Sequence, residues 1–442
     1  MIGKRLIGQI NWETSLIGAA VLLLGSLSVT EAAIINAASC RYSDVLSAYN
    51  SAKSGDIVAV PSGSATWSNT LVISKSVTLR GAGIGRTIIT RGSPTASFTG
   101  AFLCVAKLPS DVPVTISGIT FDSVRTDHVV DTRQVYILNS TAQGATFDYT
   151  KIRITSCQFK NGERQVFWEG RCFGVVDHCQ FYNFRESGAH VRGDGDHNLA
   201  RTDTQYGTQR AVVFEDDTFT EDNRLSRVEF ATDLDYAAIA VFRNCTFDFS
   251  GHTGPTDGPI GSHGNQGYWQ GVDKNFLGMM QCEIYKCTMK MPSGAYRFGY
   301  VRGGKLMFYN NTCSVVGGGS PVLIAMTEEE YNGTGNKFTP GRLNWPAEMQ
   351  INNSFFWGNT INGVVAGVSN FRIWDAQSAT GVQLNRDYWL QAPGPATSTT
   401  YPNPKSPTAG NYPYSYQTNY RGPVTSYKAL VYPHPLVSGS SA

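Results

Sequence analysis

The sequence predicts an all-β chain wound as a parallel β-helix, and three observations carry that prediction. A short phrase recurs: "SCQF" at 156–159, "HCQF" at 178–181, "DDTF" at 216–219, "NCTF" at 244–247, "KCTM" at 286–289, "NNTC" at 310–313 and "GNTI" at 358–361. Aligned on its last residue, and counting Phe121, the phrase returns after 38, 22, 38, 28, 42, 24 and 48 residues. A unit in the twenties, with longer intervals where a loop is inserted, means stacked supersecondary coils. A β-type run precedes the phrases, as in "KIRI" (151–154), "FGVV" (173–176), "AVVF" (211–214) and "KLMFY" (305–309). No amphipathic helical pattern intervenes, which excludes βαβ units.

Composition fits a β-rich exported protein with many tight turns. Charged residues make up 16%, against about 25% in an average soluble domain, and there are 46 glycines. The 36 Lys+Arg nearly balance the 34 Asp+Glu without long runs of one sign, so the concentrated basic footprint of a nucleic-acid-binding surface is missing.

Lys4 and Arg5 precede the apolar "LIGAAVLLLGSLSV" (16–29), shorter than the roughly 20 residues of a bilayer span, and small residues follow in "TEAAIINAAS" (30–39). Residues 1–38 therefore read as a secretory signal, cut between Glu31 and Cys40, and the mature protein is expected to be secreted or at the cell surface. Residues 39–56 read as an N-terminal cap, with a short amphipathic helix in "YSDVLSAYNSAKSGD" (42–56) started by Ser43 and covering the open end of the stack. Residues 57–375 form the coils, beginning with "DIVAVPSG", "TLVISKSVTLRGAG" and "RTIIT", alternating strands broken by glycine. After Trp374 the pattern stops, and 376–442 form an extended tail rich in Pro and Tyr, either disordered or packed along the coil surface.

In each phrase the last side chain is expected to point inward and stack on its equivalent one coil away. Two residues earlier stand Cys157, Cys179, Asp217, Cys245, Cys287, Asn311 and Asn359, a ladder of small polar groups at the bend, about 4.8 Å apart. The nine cysteines are then either buried thiols or include one or two disulfides, with Cys157–Cys179 the pair that this spacing permits. Neither Cys-x-x-Cys nor His-x-x-x-His occurs, so a zinc site is not expected.

The order of cap helix, "SGDIVAVPSG", "TLVISKSVTLRGAG" and N-x-[ST]-[FIM]-type corners resembles secreted right-handed β-helix proteins of the pectate-lyase-like superfamily, over residues 40–375. The resemblance implies the right-handed fold and an extracellular polysaccharide as partner. It does not choose among lyases, glycoside hydrolases, epimerases, tailspikes and adhesins. The pectate lyase Arg-x-Pro-x-x-Arg stretch is absent, its nearest counterpart being "RGPVTS" (421–426), and of the polygalacturonase signatures only "FEDDTF" and "SHGN" (262–265) remain.

Counting back from the corners, Asp177, Glu215, Arg243, Tyr285 and Tyr309 should face outward in one column, a stripe suited to saccharide hydroxyls and ring faces. The densest ionisable cluster is "HVRGDGDHNLARTD" (190–203), which brings His190, Arg192, Asp194, Asp196, His197 and Asp203 toward Glu215, while "ATDLDY" (231–236) adds Asp233 and Asp235. "GSHGN" adds His263 and "YVRGG" adds Arg302. Glu215, Asp194, Arg302 and His263 are the candidate catalytic residues; His190, Arg192, Asp177, Arg243, Tyr285, Tyr309, Asp233 and Asp235 the candidate substrate-binding residues.

Three chemistries fit those residue types. Paired carboxylates about 5–9.5 Å apart perform glycoside hydrolysis. A lyase would use Arg192, Arg302 or a His to take the proton α to a uronate carboxyl, with Ca2+ neutralising that carboxyl; Asp194, Asp196 and Glu215 are suitable hard oxygen ligands, although the loop lacks the EF-hand pattern. Asp-Gly-Asp loops are also ordinary turns held by structural ion pairs. The expectation is a polysaccharide-binding and polysaccharide-cleaving protein. The rival is a non-catalytic rod or adhesin that self-associates into an oligomer or filament.

Overall fold

The computed structural model describes residues 31–92, 100–124, 133–194, 206–222, 228–253, 256–264, 278–319, 321–327, 351–373, 382–385, 387–394, 424 and 426–439. The signal expected over 1–38 lies almost wholly outside them, as do Asp196, His197 and Asp203. Among the described residues no helix is long and apolar enough to cross a membrane.

Three sheets of 12, 10 and 11 strands run the length of the molecule. One coil shows how they arise. Cys172–Asp177 lies in the 12-stranded sheet, Gln180–Tyr182 in the 11-stranded sheet and Ser187–Arg192 in the 10-stranded sheet. Each then pairs in parallel with the equivalent strand of the next coil: Val212–Glu215, Thr218–Thr220 and Thr232–Asp235. The result is a right-handed parallel β-helix, the hand that strand-to-parallel-strand connections adopt almost without exception. The helix Tyr42–Ser51 covers its first coil, burying Val45, Ala48 and Tyr49 at i, i+3, i+4 spacing. Its N-cap is Arg41 rather than Ser43, without a side-chain capping bond, and Ser39 Oγ donates to the Asp44 carboxylate of the first turn at 2.5 Å.

The recurring phrase is the corner between the 12- and 11-stranded sheets. Its first residue takes the left-handed conformation in coil after coil: Ser156 (φ 51°), His178 (55°), Asp216 (59°), Asn244 (54°), Lys286 (55°), Asn310 (53°) and Gly358 (64°). A non-glycine residue there costs about 1–2 kcal/mol, so something must hold each corner shut. The next residue does. Its side chain donates to a carbonyl one coil back: Cys179 Sγ to Ile154 O (3.7 Å), Cys245 Sγ to Phe214 O (3.5 Å), Cys287 Sγ to Phe242 O (3.6 Å), Asn311 Nδ2 to Ile284 O (3.0 Å) and Asn359 Nδ2 to Phe308 O (2.8 Å). Cys and Asn interchange because each is a short donor. All nine cysteines are free and buried, so the ladder is thiols, not disulfides.

The last residue of each phrase points inward, in continuous register from Phe121 through Phe159, Phe181, Phe219, Phe247, Met289 and Cys313 to Ile361. Ring centroids along the five phenylalanines are 5.6, 5.0, 4.4 and 4.8 Å apart, and all five rings are fully buried. Stacked aromatic pairs add about 0.5–1.5 kcal/mol each beyond their area.

Candidate functional site

Because strand side chains alternate, residues flanking the core positions stand on the outer faces of the sheets. On the 12-stranded sheet, Asp177, Glu215, Arg243, Tyr285, Tyr309 and Trp357 are aligned in register, as the phrase spacing implied. They are not a solvent-facing stripe, however: Asp177, Glu215 and Arg243 are 0% exposed, Tyr285 4% and Tyr309 6%. The chain's own C-terminal segment covers them. Val424 N donates to Asn353 Oδ1 (2.8 Å), and Tyr427 Oη donates to Glu283 (2.6 Å) and meets Tyr309 Oη (3.1 Å). Arg243 donates to Leu430 O (2.7 Å) and Val431 O (2.9 Å), Glu215 accepts from His434 N (3.0 Å), and Arg153 donates to Leu436 O (3.3 Å). The segment is a strap, crossing strands from Ser354–Trp357 back to Tyr149–Thr155.

Beneath the strap the charges satisfy one another. Glu215 Oε2 accepts from Arg243 Nε (2.8 Å) and Nη2 (2.5 Å), and Asp177 accepts from Arg153 Nε (2.8 Å). Burial pushes the Asp177 carboxyl up, but the Arg153 and Thr155 hydrogen bonds outweigh it and hold it below the ordinary value. The aromatic residues turn their faces to one another, Tyr285 on Tyr309 at 4.8 Å and Tyr309 on Trp357 at 4.1 Å, leaving edges for a sugar rather than faces. Glu215, Asp177, Arg243, Tyr285 and Tyr309, expected to face outward toward a substrate, are thus structural neighbours of the strap, and Glu215 and Asp194 do not share a site.

Asp194, expected beside Glu215, follows Ser187–Arg192 of another sheet and accepts from Thr141 N at 2.9 Å. With Cys172, Arg171 and Arg210 it lines a pocket of about 50 Å3 that is open on one side. Asp194 and Glu215, engaged with separate partners on separate sheets, do not form a common calcium site.

The remaining candidates converge on the outer face of the 10-stranded sheet. Val191 and Leu234 point into the core, so His190 and Arg192 on Ser187–Arg192, and Asp233 and Asp235 on Thr232–Asp235, point out. Register sets His190 opposite Asp233 and Arg192 opposite Asp235. Ile260–Ser262 continues the sheet and ends beside His263; Arg297–Val301 follows and ends beside Arg302.

These side chains form a chain of contacts across four coils. Arg302 Nη2 lies 2.9 Å from His263 Nε2, and His263 Nε2 lies 3.1 Å from Asp233 Oδ1. Asp233 Oδ2 is 3.4 Å from His190 Nδ1, His190 Nε2 is 3.5 Å from Asp235 Oδ1, and Arg192 donates to both Asp235 oxygens (3.2 and 3.0 Å). Burial pushes the Asp233 carboxyl up, yet the facing His263 and His190 hold it far below the ordinary range. Burial does the same at Asp235, and Arg192 with His190 overcomes it. Both carboxyls are ionised at neutral pH. His263 is more open, at 16% side-chain exposure, than His190 at 1% or Asp233 at 7%.

Sequence reasoning missed the groups that hold these in place. Phe167, in register with His190, stacks under its ring at 4.3 Å. Ser262 O accepts from Arg302 Nε at 2.7 Å, which fixes the guanidinium. Phe167 was readable as the outward member of "VFW" between inward Val166 and Trp168; the Ser262 carbonyl leaves no side-chain signal. Glu186, His190 and Asp233 also bring donor atoms within 4.8 Å of one another, but Glu186 is engaged by Arg164 and Asp233 by His263, and we assign no ion there.

With its strands wound coil on coil in three parallel sheets, the chain is a right-handed parallel β-helix protein. No protein-family model matches the sequence, and no curated protein matches it. Among solved structures the chain is similar to an alginate lyase from Paenibacillus sp. str. FPU-7, at 12% identity over 78% of this chain and 98% of that one, with a TM-score of 0.43. It is similar to DFA-IIIase from Arthrobacter chlorophenolicus A6 in complex with DFA-III, at 12% identity over 81% and 92%, TM-score 0.41. A third is the A-module of the Azotobacter vinelandii mannuronan C-5 epimerase AlgE6, at 13% identity over 79% and 95%, TM-score 0.41.

Proposed function

We propose that this chain acts on an extracellular acidic polysaccharide and cleaves it by β-elimination on the outer face of the 10-stranded sheet. Arg302 pairs with the uronate carboxyl, His263 takes the proton from the carbon beside it, and Asp233 stabilises the resulting imidazolium. His190, Asp235 and Arg192 keep Asp233 oriented and ionised.

The observation that carries this reading is the position of His263 Nε2, within 2.9 Å of a fixed guanidinium and 3.1 Å of an ionised carboxylate. That is a proton acceptor beside an anion-binding group. Hydrolysis by paired carboxyls needs one of them protonated, and the carboxyls of Asp233 and Asp235 are both held far below the ordinary range. A polymeric substrate outside the cell agrees with the export that the N-terminal sequence predicts.

Incubation with a panel of uronans and neutral glycans, read by absorbance of unsaturated uronates and by reducing ends, tests it. We expect absorbance to rise with uronans alone, and to fall at least about 100-fold in His263→Gln, the usual scale for losing a general base. Glu215→Gln, under the strap, should leave turnover per folded molecule unchanged. Reducing ends without absorbance would mean hydrolysis, and the proposal would fail.

A further inference from the structure

One nitrogen at the proposed site has two claimants that cannot both be satisfied. The Arg302 guanidinium can only donate, so its 2.9 Å contact to His263 Nε2 is a hydrogen bond only when that nitrogen carries a lone pair. The Asp233 carboxylate can only accept, so its 3.1 Å contact to the same nitrogen is a hydrogen bond only when the nitrogen carries a proton. We propose that Arg302 masks the base: it ties up the His263 lone pair until a substrate carboxylate draws the guanidinium away. The inference rests on the reading of the site given above and concerns how that site is kept silent between substrates.

Among the described residues, the charged groups facing His263 are Asp233, from the strand before it, and Arg302, from the coil after it. Behind Asp233 stand His190, Asp235 and Arg192. Arg302 is anchored through Nε to Ser262 O (2.7 Å) and packs over Tyr300 and Phe230, so a small tilt of the whole planar guanidinium about that anchor releases the imidazole without its leaving the site. When a uronate carboxylate pairs with those nitrogens, Nε2 is freed toward the carbon beside the carboxyl. The C–H bond breaks and its proton goes to Nε2. The electron pair becomes the C=C bond of the unsaturated uronate, and the glycosidic C–O bond breaks toward the leaving oxygen. The imidazolium then returns its proton to that oxygen, so no other reactant is consumed, and Asp233 holds the proton between the two steps. A neutral sugar offers Arg302 no partner, and the lone pair stays covered.

Histidine NMR on the full-length protein reads the mask directly. The chain has seven histidines, and His263→Gln identifies the resonance. A cation that donates to an imidazole lone pair opposes its protonation, so removing that cation raises the titration midpoint of the ring. Arg302→Gln should therefore raise that midpoint by about one pH unit or more, a tenfold change in proton affinity. Asp233→Asn, which removes the acceptor instead, should lower it, and serves if the first variant does not fold. A midpoint unmoved in Arg302→Gln, or raised in Asp233→Asn, overturns the proposal. The uronan panel separates this from the function itself: shifted midpoints with no uronan cleaved would leave the mask and remove the lyase, and cleavage with unshifted midpoints would do the reverse.

Discussion

Asp217 occupies a ladder position otherwise filled by Cys and Asn, and it meets the same demand. Its neighbours donate to a carbonyl one coil back, and the equivalent acceptor for residue 217 is Val176 O, by the register of Val176 with Phe214. Asp217 Oδ1 accepts from Cys179 N at 2.7 Å, whereas Oδ2 is buried without a partner. A carboxylate cannot donate to Val176, but a carboxylic acid can. Burial, with Cys245 adding to it, pushes the Asp217 carboxyl well above its ordinary value, in the same direction. A group raised in the folded state contributes stability that is fully present below its unfolded value and is lost as pH rises toward the folded one. We therefore expect Asp217→Asn, which supplies the donor at every pH, to stabilise the protein by about 1–3 kcal/mol at neutral pH. The gain should shrink toward pH ~4, near the unfolded carboxyl value. Denaturant midpoints at both pH values check this; an equal gain at both would mean the acid is not neutral.

Elements differ in how plainly the sequence announces them. The inward stack was legible because one side chain per coil recurs at the same corner, and its removal should show it: Phe219→Ala is expected to cost about 3–5 kcal/mol in a denaturant titration. The outward column was legible as a column, since Asp177, Glu215 and Arg243 stand at one position of successive strands. Its burial was not, because the cover arrives from 219 residues away in a segment without periodicity. The grouping of Glu215 with Asp194 failed for a related reason: alternation says that a side chain faces out, but three sheets face out in three directions. His190, Arg192, Asp233 and Asp235 could be joined from the sequence because consecutive strands of one sheet carry them at matching positions.

The strap has its own pH dependence. His434 is buried, and its Nδ1 accepts from Leu436 N at 3.2 Å, so the ring is neutral where it docks. Burial, with Arg243 adding to it, drops its proton affinity to a pKa of about 4. An unfolded histidine binds a proton near pH ~6.5, so between those values the free segment holds more protons than the docked one. Stability of docking is full above that window and is lost as pH falls through it. Amide protection over residues 430–438, corrected for intrinsic exchange, should therefore fall from neutral pH to pH ~4, and in His434→Gln that fall should disappear. If the variant loses as much protection as the wild type, another group governs release.

At the scale of the whole molecule, each coil leans on the one before it, through the ladder, the stack and the sheets. The strap is the exception, running the other way, from the strand Ser354–Trp357 to the strand Tyr149–Thr155. During synthesis the coils can wind in order as they emerge, but the face carrying Glu215 and Arg243 stays open until residues near 430 are available. A chain interrupted before then can complete most of its coils and still present a charged pair meant for the interior. A segment made late thus seals a face laid down early.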